Sequence, residues 1–160
     1  MTADELRAKL IRNFDTAPRE PFVRAPLYDT LCARLAAGTA AKQLGASIDV
    51  LPAGAMGCPY HYHHAEEEMF IVLEGSGTLR VAGERLAIGA GDVVFIPAGP
   101  EYPHHIINSS DAPLKYLSIS TQAETEVCIY PDSGKLGVFA PGLRELHHRA
   151  ANVDYWEGEA

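Results

Sequence analysis

Short apolar segments that end at glycine or proline follow one another along this chain from Gln43 onward. The 14 glycines and 11 prolines lie between these segments rather than in one linker. Strands bounded by such turn residues at a spacing of about ten residues are typical of all-β sandwiches and barrels. The sequence predicts strands at 43–51, 59–63, 68–74, 77–82, 84–88, 92–97, 103–108, 114–121, 126–130 and 136–140.

The length of 160 residues indicates a single domain, which buries roughly 70% of the surface that the unfolded chain exposes. Only the opening ADELRAKLIRNF has clear helical spacing, and DTLCARLAA is either helical or extended. We therefore expect a partly helical N-terminal extension at 1–42, a barrel at 43–142 and a C-terminal tail at 143–160. In that tail, Tyr155 and Trp156 are the residues expected to pack against the rest of the protein.

The charge balance argues against nucleic acid as a partner, because 13 Lys and Arg face 21 Asp and Glu for a net charge of −8. The N-terminus lacks the apolar core of a secretory signal, and no apolar stretch is long enough to span a membrane. We expect a cytoplasmic protein. Cys32, Cys58 and Cys128 form no C-x-x-C pair, so we expect reduced thiols that pack in the core.

A group of histidines and acids in CPYHYHHAEEEMFIVLEG suggests a metal site. On a strand, His61 and His63 point to the same face because side chains alternate with a period of two. We expect the four residues 64–67 to form a hairpin loop, which would set Glu68 opposite His63 on the next strand. This geometry brings two imidazoles and one carboxylate together.

The same segment resembles the first motif of the cupin superfamily, G-x5-H-x-H-x3,4-E-x6-G. His61 and His63 are followed by four residues, Glu68, six further residues and Gly75. Ala55 occupies the place of the leading glycine.

A later segment, GDVVFIPAGPEYPHHIIN, resembles the second cupin motif, G-x5-P-x-G-x2-H-x3-N. Gly91, Pro97 and Gly99 match the first half, and His104 with Asn108 matches the second half. Two extra residues separate Gly99 from His104.

The resemblance covers about Gln43 to Thr121 and implies a small single-domain bacterial cupin of the cupin 2 type. The implied fold is all-β, a double-stranded β-helix or jelly-roll barrel, with a short N-terminal helical segment. The implied ligands of one divalent metal per chain are His61, His63, Glu68 and His104, with His105 as a weaker candidate. Nitrogen and oxygen donors of this kind serve Mn, Fe, Co, Ni and Zn alike, so the sequence does not select the ion.

Four protein ligands leave room on an octahedral ion for a small oxygen-rich substrate, which predicts a metal-dependent oxygenase, decarboxylase or isomerase. The alternative is a non-catalytic cupin module that binds a sugar or carboxylate ligand through the metal. Phe70 and Tyr102 are candidates for the substrate pocket, and Tyr102, Glu66 and His105 are the groups that could move a proton. The sequence identifies no catalytic residue and no organic cofactor.

The strand MFIVL is apolar on both faces, since Met69, Ile71 and Leu73 alternate with the residues on the metal-facing side. One small barrel does not need both faces in its interior. The sequence therefore predicts a homodimer that covers the second face.

Overall fold

A computed structural model describes residues 1–159 of the chain. Among these residues there is one α-helix, and no helix is long and apolar enough to cross a membrane. The elements are α1 (Ala3–Leu10), β1 (Glu20–Arg24), β2 (Tyr28–Arg34), β3 (Leu44–Leu51), β4 (Tyr62–His63), β5 (Glu68–Glu74), β6 (Ser76–Val81), β7 (Glu84–Gly89), β8 (Val93–Ile96), β9 (His104–Ile107), β10 (Leu114–Thr121), β11 (Glu126–Tyr130), a 3-10 turn (Pro131–Ser133), β12 (Lys135–Ala140) and β13 (Leu143–His148).

The strands form a six-stranded sheet in the order β1-β2-β3-β10-β5-β8, a four-stranded sheet β13-β12-β11-β4 and a three-stranded sheet β7-β6-β9. Every ladder between these named strands is antiparallel. This arrangement confirms the predicted all-β cupin fold with one short N-terminal helix.

The hydrophobic core lies between the six-stranded and three-stranded sheets. The large sheet contributes fully buried side chains such as Leu51 and Leu114, and the small sheet contributes Leu79 and Ile106. Asn108, from the second motif, is completely buried, and its amide donates to the carbonyls of Leu51 and Ala112 at 2.9 and 2.8 Å. The core therefore fixes the strands that carry the histidine motifs.

The N-terminal 42 residues contribute two strands as well as the helix, because β1 and β2 extend the six-stranded sheet through β3. The DTLCARLAA segment, open between helix and strand by its sequence, is largely extended as β2. Lys115 on β10 donates to Asp15 and Glu74 at 2.9 and 2.8 Å, and so ties the segment before β1 to the sheet.

The C-terminal segment begins with strand β13, which pairs with β12 along its whole length. Tyr155 and Trp156 pack edge to face with ring centroids 4.8 Å apart. Both remain exposed, at 82% and 72%. The expectation that these two rings pack the tail onto the protein is therefore wrong, because they contact each other instead.

The expected hairpin at residues 64–67 is also wrong. Strand β4 pairs with β11 of the four-stranded sheet, whereas β5 pairs with β10 and β8 of the six-stranded sheet. The loop between them crosses from one sheet to the other. It still brings His63 and Glu68 together, but across the gap between two sheets.

Candidate metal centre

The four side chains implied as metal ligands meet at one end of the barrel interior. His61 and His104 are backbone neighbours, since each accepts a hydrogen bond from the other's N–H, at 2.7 and 3.1 Å. His63 lies on β4, and Glu68 is the first residue of β5. Three separate strand pairings thus hold these side chains, which restricts their relative movement.

The carboxylate oxygen Oε2 of Glu68 is the common point of this cluster. Its distances to the Nε2 atoms of His61, His63 and His104 are 3.8, 3.6 and 2.8 Å. Donor atoms that share one ion at bond lengths of about 2.0–2.2 Å lie about 3–4 Å from one another. Donor atoms of His61, Glu68 and His104 all lie within 4.8 Å of one another, which suits a single ion, and His63 adjoins this group through Glu68.

Three atoms of the four side chains are buried without a hydrogen-bond partner among residues 1–159. They are Oε2 of Glu68, Nε2 of His104 and Nδ1 of His63. A buried polar atom without a hydrogen-bond partner destabilises a protein, and nearly all buried polar atoms in native structures have one. A bound cation would satisfy Oε2 of Glu68 and Nε2 of His104 at once, so the residues present fit a metal ion.

The outer nitrogens of two histidines are held by backbone carbonyls. Nδ1 of His61 lies 2.8 Å from the carbonyl oxygen of Pro59, and Nδ1 of His104 lies 3.1 Å from that of Tyr102. These contacts assign the proton to Nδ1 and leave the Nε2 lone pair directed at Glu68. Both rings are thereby held in the tautomer that a metal ligand requires.

The third histidine faces a buried carboxylate that the sequence analysis missed. Glu126 is 4% exposed, and its Oε1 lies 3.6 Å from Nδ1 of His63. Its two oxygens accept the backbone N–H groups of His64, Ala65 and Glu66 at 2.8, 3.0 and 2.9 Å. Glu126 therefore holds the crossing loop between His63 and Glu68.

Two other groups of donors could hold an ion in this region: His61 with His63 and Cys128, and His63 with Glu66 and Glu126. Burial raises the pKa of the Cys128 thiol to about 11, so the thiolate is scarce near neutral pH. The oxygens of Glu126 are already occupied by three backbone N–H groups. The cluster around Glu68 is the group with free donor atoms.

The ionisation of the cluster also suits a cation. Burial lowers the pKa of His61 to about 4, despite the opposing effect of Glu68. Burial raises the pKa of Glu68, but the imidazoles of His104, His61 and His63 outweigh it, so the net shift is downward. A neutral His61 and an ionised Glu68 are the forms in which both side chains bind metal.

The other candidates from the sequence lie around this cluster. Phe70 is a buried core residue whose ring centroid is 5.7 Å from that of His104. Tyr102 is 46% exposed and contributes its carbonyl to His104. His105 points away from the cluster, since its Nδ1 lies 3.3 Å from the carbonyl of Cys58 and its ring packs on Tyr60.

Comparisons with known proteins bear on the fold and the family. The model of the cupin domain matches residues 47–120. The uncharacterized protein MJ1618 of Methanocaldococcus jannaschii is 38% identical over 60 residues, which are 38% of this chain and 46% of that relative. The chain thus spans less than half the length of this relative.

Two solved structures are similar over nearly the whole chain. A putative sugar phosphate isomerase from Acidithiobacillus ferrooxidans superposes with a TM-score of 0.77 at 25% identity, covering 96% of both chains. A sugar phosphate isomerase from a cupin superfamily of Silicibacter pomeroyi gives 0.74 at 25% identity, covering 86% of this chain and 91% of that one. The cupin domain thus matches 74 of the 160 residues, and the whole fold is similar to that of a solved protein from a cupin superfamily.

Proposed function

We propose that this protein binds one divalent metal ion through His61, His63, Glu68 and His104 and uses it as an enzyme on a small oxygen-rich substrate. The observation that carries the proposal is the position of Glu68 Oε2, which is buried without a hydrogen-bond partner within 3.8 Å of three imidazole nitrogens. A divalent ion in such a site polarises a carbonyl or hydroxyl group of the substrate.

The protein's own residues hold that site in a fixed geometry. The backbone carbonyls of Pro59 and Tyr102 orient two of the imidazoles, and Glu126 faces the third. Phe70 lies beside His104 and excludes water from that side of the cluster. Preorganised ligands of this kind leave the remaining positions on the ion for substrate.

Among the reaction classes that this donor set permits, isomerisation of a sugar is the one we favour. It is supported by the two solved sugar phosphate isomerases, which resemble this chain over most of its length. The same donor set also serves oxygenases and decarboxylases, and it does not select the ion.

The test combines metal analysis with a turnover assay on the full chain. The wild type should bind one equivalent of Zn²⁺, Mn²⁺, Fe²⁺, Co²⁺ or Ni²⁺ and interconvert aldose and ketose sugars or their phosphates with at least one of them. His63→Ala should lower the metal content by an order of magnitude or more. His64→Ala is the matched control, because His64 is the next residue in the chain and its side chain is exposed, outside the proposed ligand set.

Two results would contradict the proposal. Equal metal content in the His63→Ala variant and the wild type would remove the assigned ligand set. Micromolar binding of sugars at the metal without turnover by any of the five ions would instead establish the non-catalytic binding module.

We also propose that the chain forms a homodimer through the outer face of the six-stranded sheet. On this face Met69 pairs with Phe95 and Ile71 pairs with Val93. Phe95 is 71% exposed and Val93 is 45% exposed. Contiguous apolar surface of this kind is typical of protein interfaces.

A further inference from the structure

A second group of polar side chains lies on the inner face of the six-stranded sheet, beside the metal cluster. Phe70 of the core is directly opposite Ser118, Ser118 is opposite Ser47, and Ser47 is opposite Arg34. Side chains directly opposite one another in a sheet share a face. The row therefore runs from the core at Phe70 to a guanidinium at the edge of the barrel.

The next row of the same face begins at the metal cluster itself. Ser120 is opposite Glu68 on one side and opposite Gly45 on the other. A Cβ at Gly45 would lie 2.7 Å from both Oγ of Ser120 and Nε2 of Gln122. The glycine thus leaves these two polar groups room on the inner face, next to Glu68.

These side chains line one cavity of about 370 Å³. The charged and polar lining consists of two cations, three hydroxyls and one amide: Arg34, Lys42, Ser47, Ser118, Ser120 and Gln122. Within residues 1–159 no carboxylate side chain lines it, although the chain as a whole has 21 acids against 13 bases. By contrast, Glu67 and Glu68 line the cavity on the other side of Ser120.

The composition of this lining determines what it can bind. Arginine and lysine together favour a phosphate group, which arginine holds with two parallel hydrogen bonds. Serine hydroxyls and a glutamine amide both donate and accept, so they pair with the hydroxyls of a sugar. Ser47 already donates to Asp49 at 2.7 Å, which leaves its oxygen as an acceptor for a ligand hydroxyl.

We propose that this cavity is the subsite for the phosphate end of a phosphorylated monosaccharide, with Arg34 and Lys42 binding the phosphate. This assignment rests on the proposed function, because it places the other end of the sugar at the metal cluster. Arg34 on β2 and Glu68 on β5 lie three strands apart, and neighbouring strands are 4.7–4.9 Å apart, so their backbones are separated by about 14 Å. Arg34 lines the same cavity as Ser118 and Ser120, so its long side chain spans part of that distance. The distance that remains between the side chains is comparable to the length of a phosphorylated monosaccharide.

The test measures binding of ribose 5-phosphate, ribose and inorganic phosphate to the full chain by calorimetry, with and without Zn²⁺. Arg34→Gln and Lys42→Gln should each weaken the binding of ribose 5-phosphate at least tenfold and leave the affinities for ribose and Zn²⁺ unchanged. Lys42 precedes β3 and lies outside the strands, so its variant tests the subsite even if Arg34→Gln folds poorly. Arg85→Gln is the matched control, because Arg85 is an exposed cation on another sheet.

The outcomes separate this inference from the proposed function. Wild-type affinity for ribose 5-phosphate in both variants, or equal affinity of the wild type for ribose and ribose 5-phosphate, would overturn the phosphate subsite. In the His63→Ala variant, inorganic phosphate should still bind, since Arg34 and Lys42 are intact. A wild type that binds inorganic phosphate but no Zn²⁺ would refute the metal proposal and leave the subsite supported.

Discussion

Replacing Glu126 by alanine should destabilise the protein and weaken its metal site together. Glu126 accepts three backbone N–H groups of the loop that joins His63 to Glu68. Hydrogen bonds to a charged group contribute about 1.5–3 kcal/mol each, which sets an upper limit of about 4.5–9 kcal/mol for three. Ala65 is exposed, so water can replace the hydrogen bond that its N–H loses. We therefore expect a loss of about 3–4 kcal/mol in the free energy of unfolding, below that limit.

The same change should lower metal affinity, because the Nδ1 atom of His63 loses the carboxylate that faces it at 3.6 Å. Removing an outer hydrogen-bond partner of a ligating histidine costs about 10–100-fold in metal affinity. The 3.6 Å contact is longer than a hydrogen bond, so we expect a loss at the low end of this range, about tenfold. Urea unfolding of the metal-free protein measures the first effect, and a Zn²⁺ titration against a competing chelator measures the second. Glu124→Ala is the matched control, since Glu124 is exposed two residues earlier.

Substitutions at surface positions usually change the free energy of unfolding by no more than about 0.5 kcal/mol. A Glu126→Ala variant whose free energy of unfolding differs from that of the wild type by no more than this would refute the role of Glu126 in holding the loop. Unchanged Zn²⁺ affinity in a Glu126→Gln variant that folds normally would refute the role of the carboxylate toward His63. The amide of glutamine can still accept backbone N–H groups but carries no charge, so the two variants separate the loop from the imidazole.

Three further outcomes follow from the structure. The metal-free protein should lose stability as pH falls from 6.5 towards 4, because the folded pKa of His61 is lowered to about 4 and the unfolded chain takes up its proton first; urea midpoints that stay constant over that window would contradict this. Light scattering should show a dimer for the wild type and a monomer for Phe95→Glu, and a wild-type monomer would remove the proposed interface. Phe70→Ala should cost about 3–5 kcal/mol in unfolding free energy, and a cost below 1 kcal/mol would show that Phe70 is not part of a packed core.

Most strands could be predicted from the sequence because glycine and proline mark their ends. The strands at 68–74, 114–121 and 126–130 have the predicted bounds. Residues 29–37 remained open between helix and strand, since their spacing fits both and only pairing with β3 decides the matter. The local sequence pattern therefore predicted most strands, whereas the conformation of residues 29–37 depends on pairing with a strand that lies later in the chain.

The four residues of the candidate metal cluster were predicted from the sequence, but the course of the chain between His63 and Glu68 was not. The spacing of five residues would place His63 and Glu68 on opposite faces of one continuous strand, so the chain must turn between them. Both a hairpin and a crossing loop satisfy that condition. The residue that selects the crossing loop is Glu126, which bonds to amides about sixty positions earlier in the chain. The signal available in the sequence was a lone acid at the start of the apolar run EVCIY, and its partners are visible only in the fold.

The position of a bound ion tests the central proposal most directly. A crystal grown with Zn²⁺ and measured at the zinc absorption edge should show one anomalous peak per chain. This peak should lie about 2.0–2.2 Å from Nε2 of His61, His63 and His104 and from a carboxylate oxygen of Glu68. A peak bonded to the sulfur of Cys128 instead, or no peak at these residues, would contradict it.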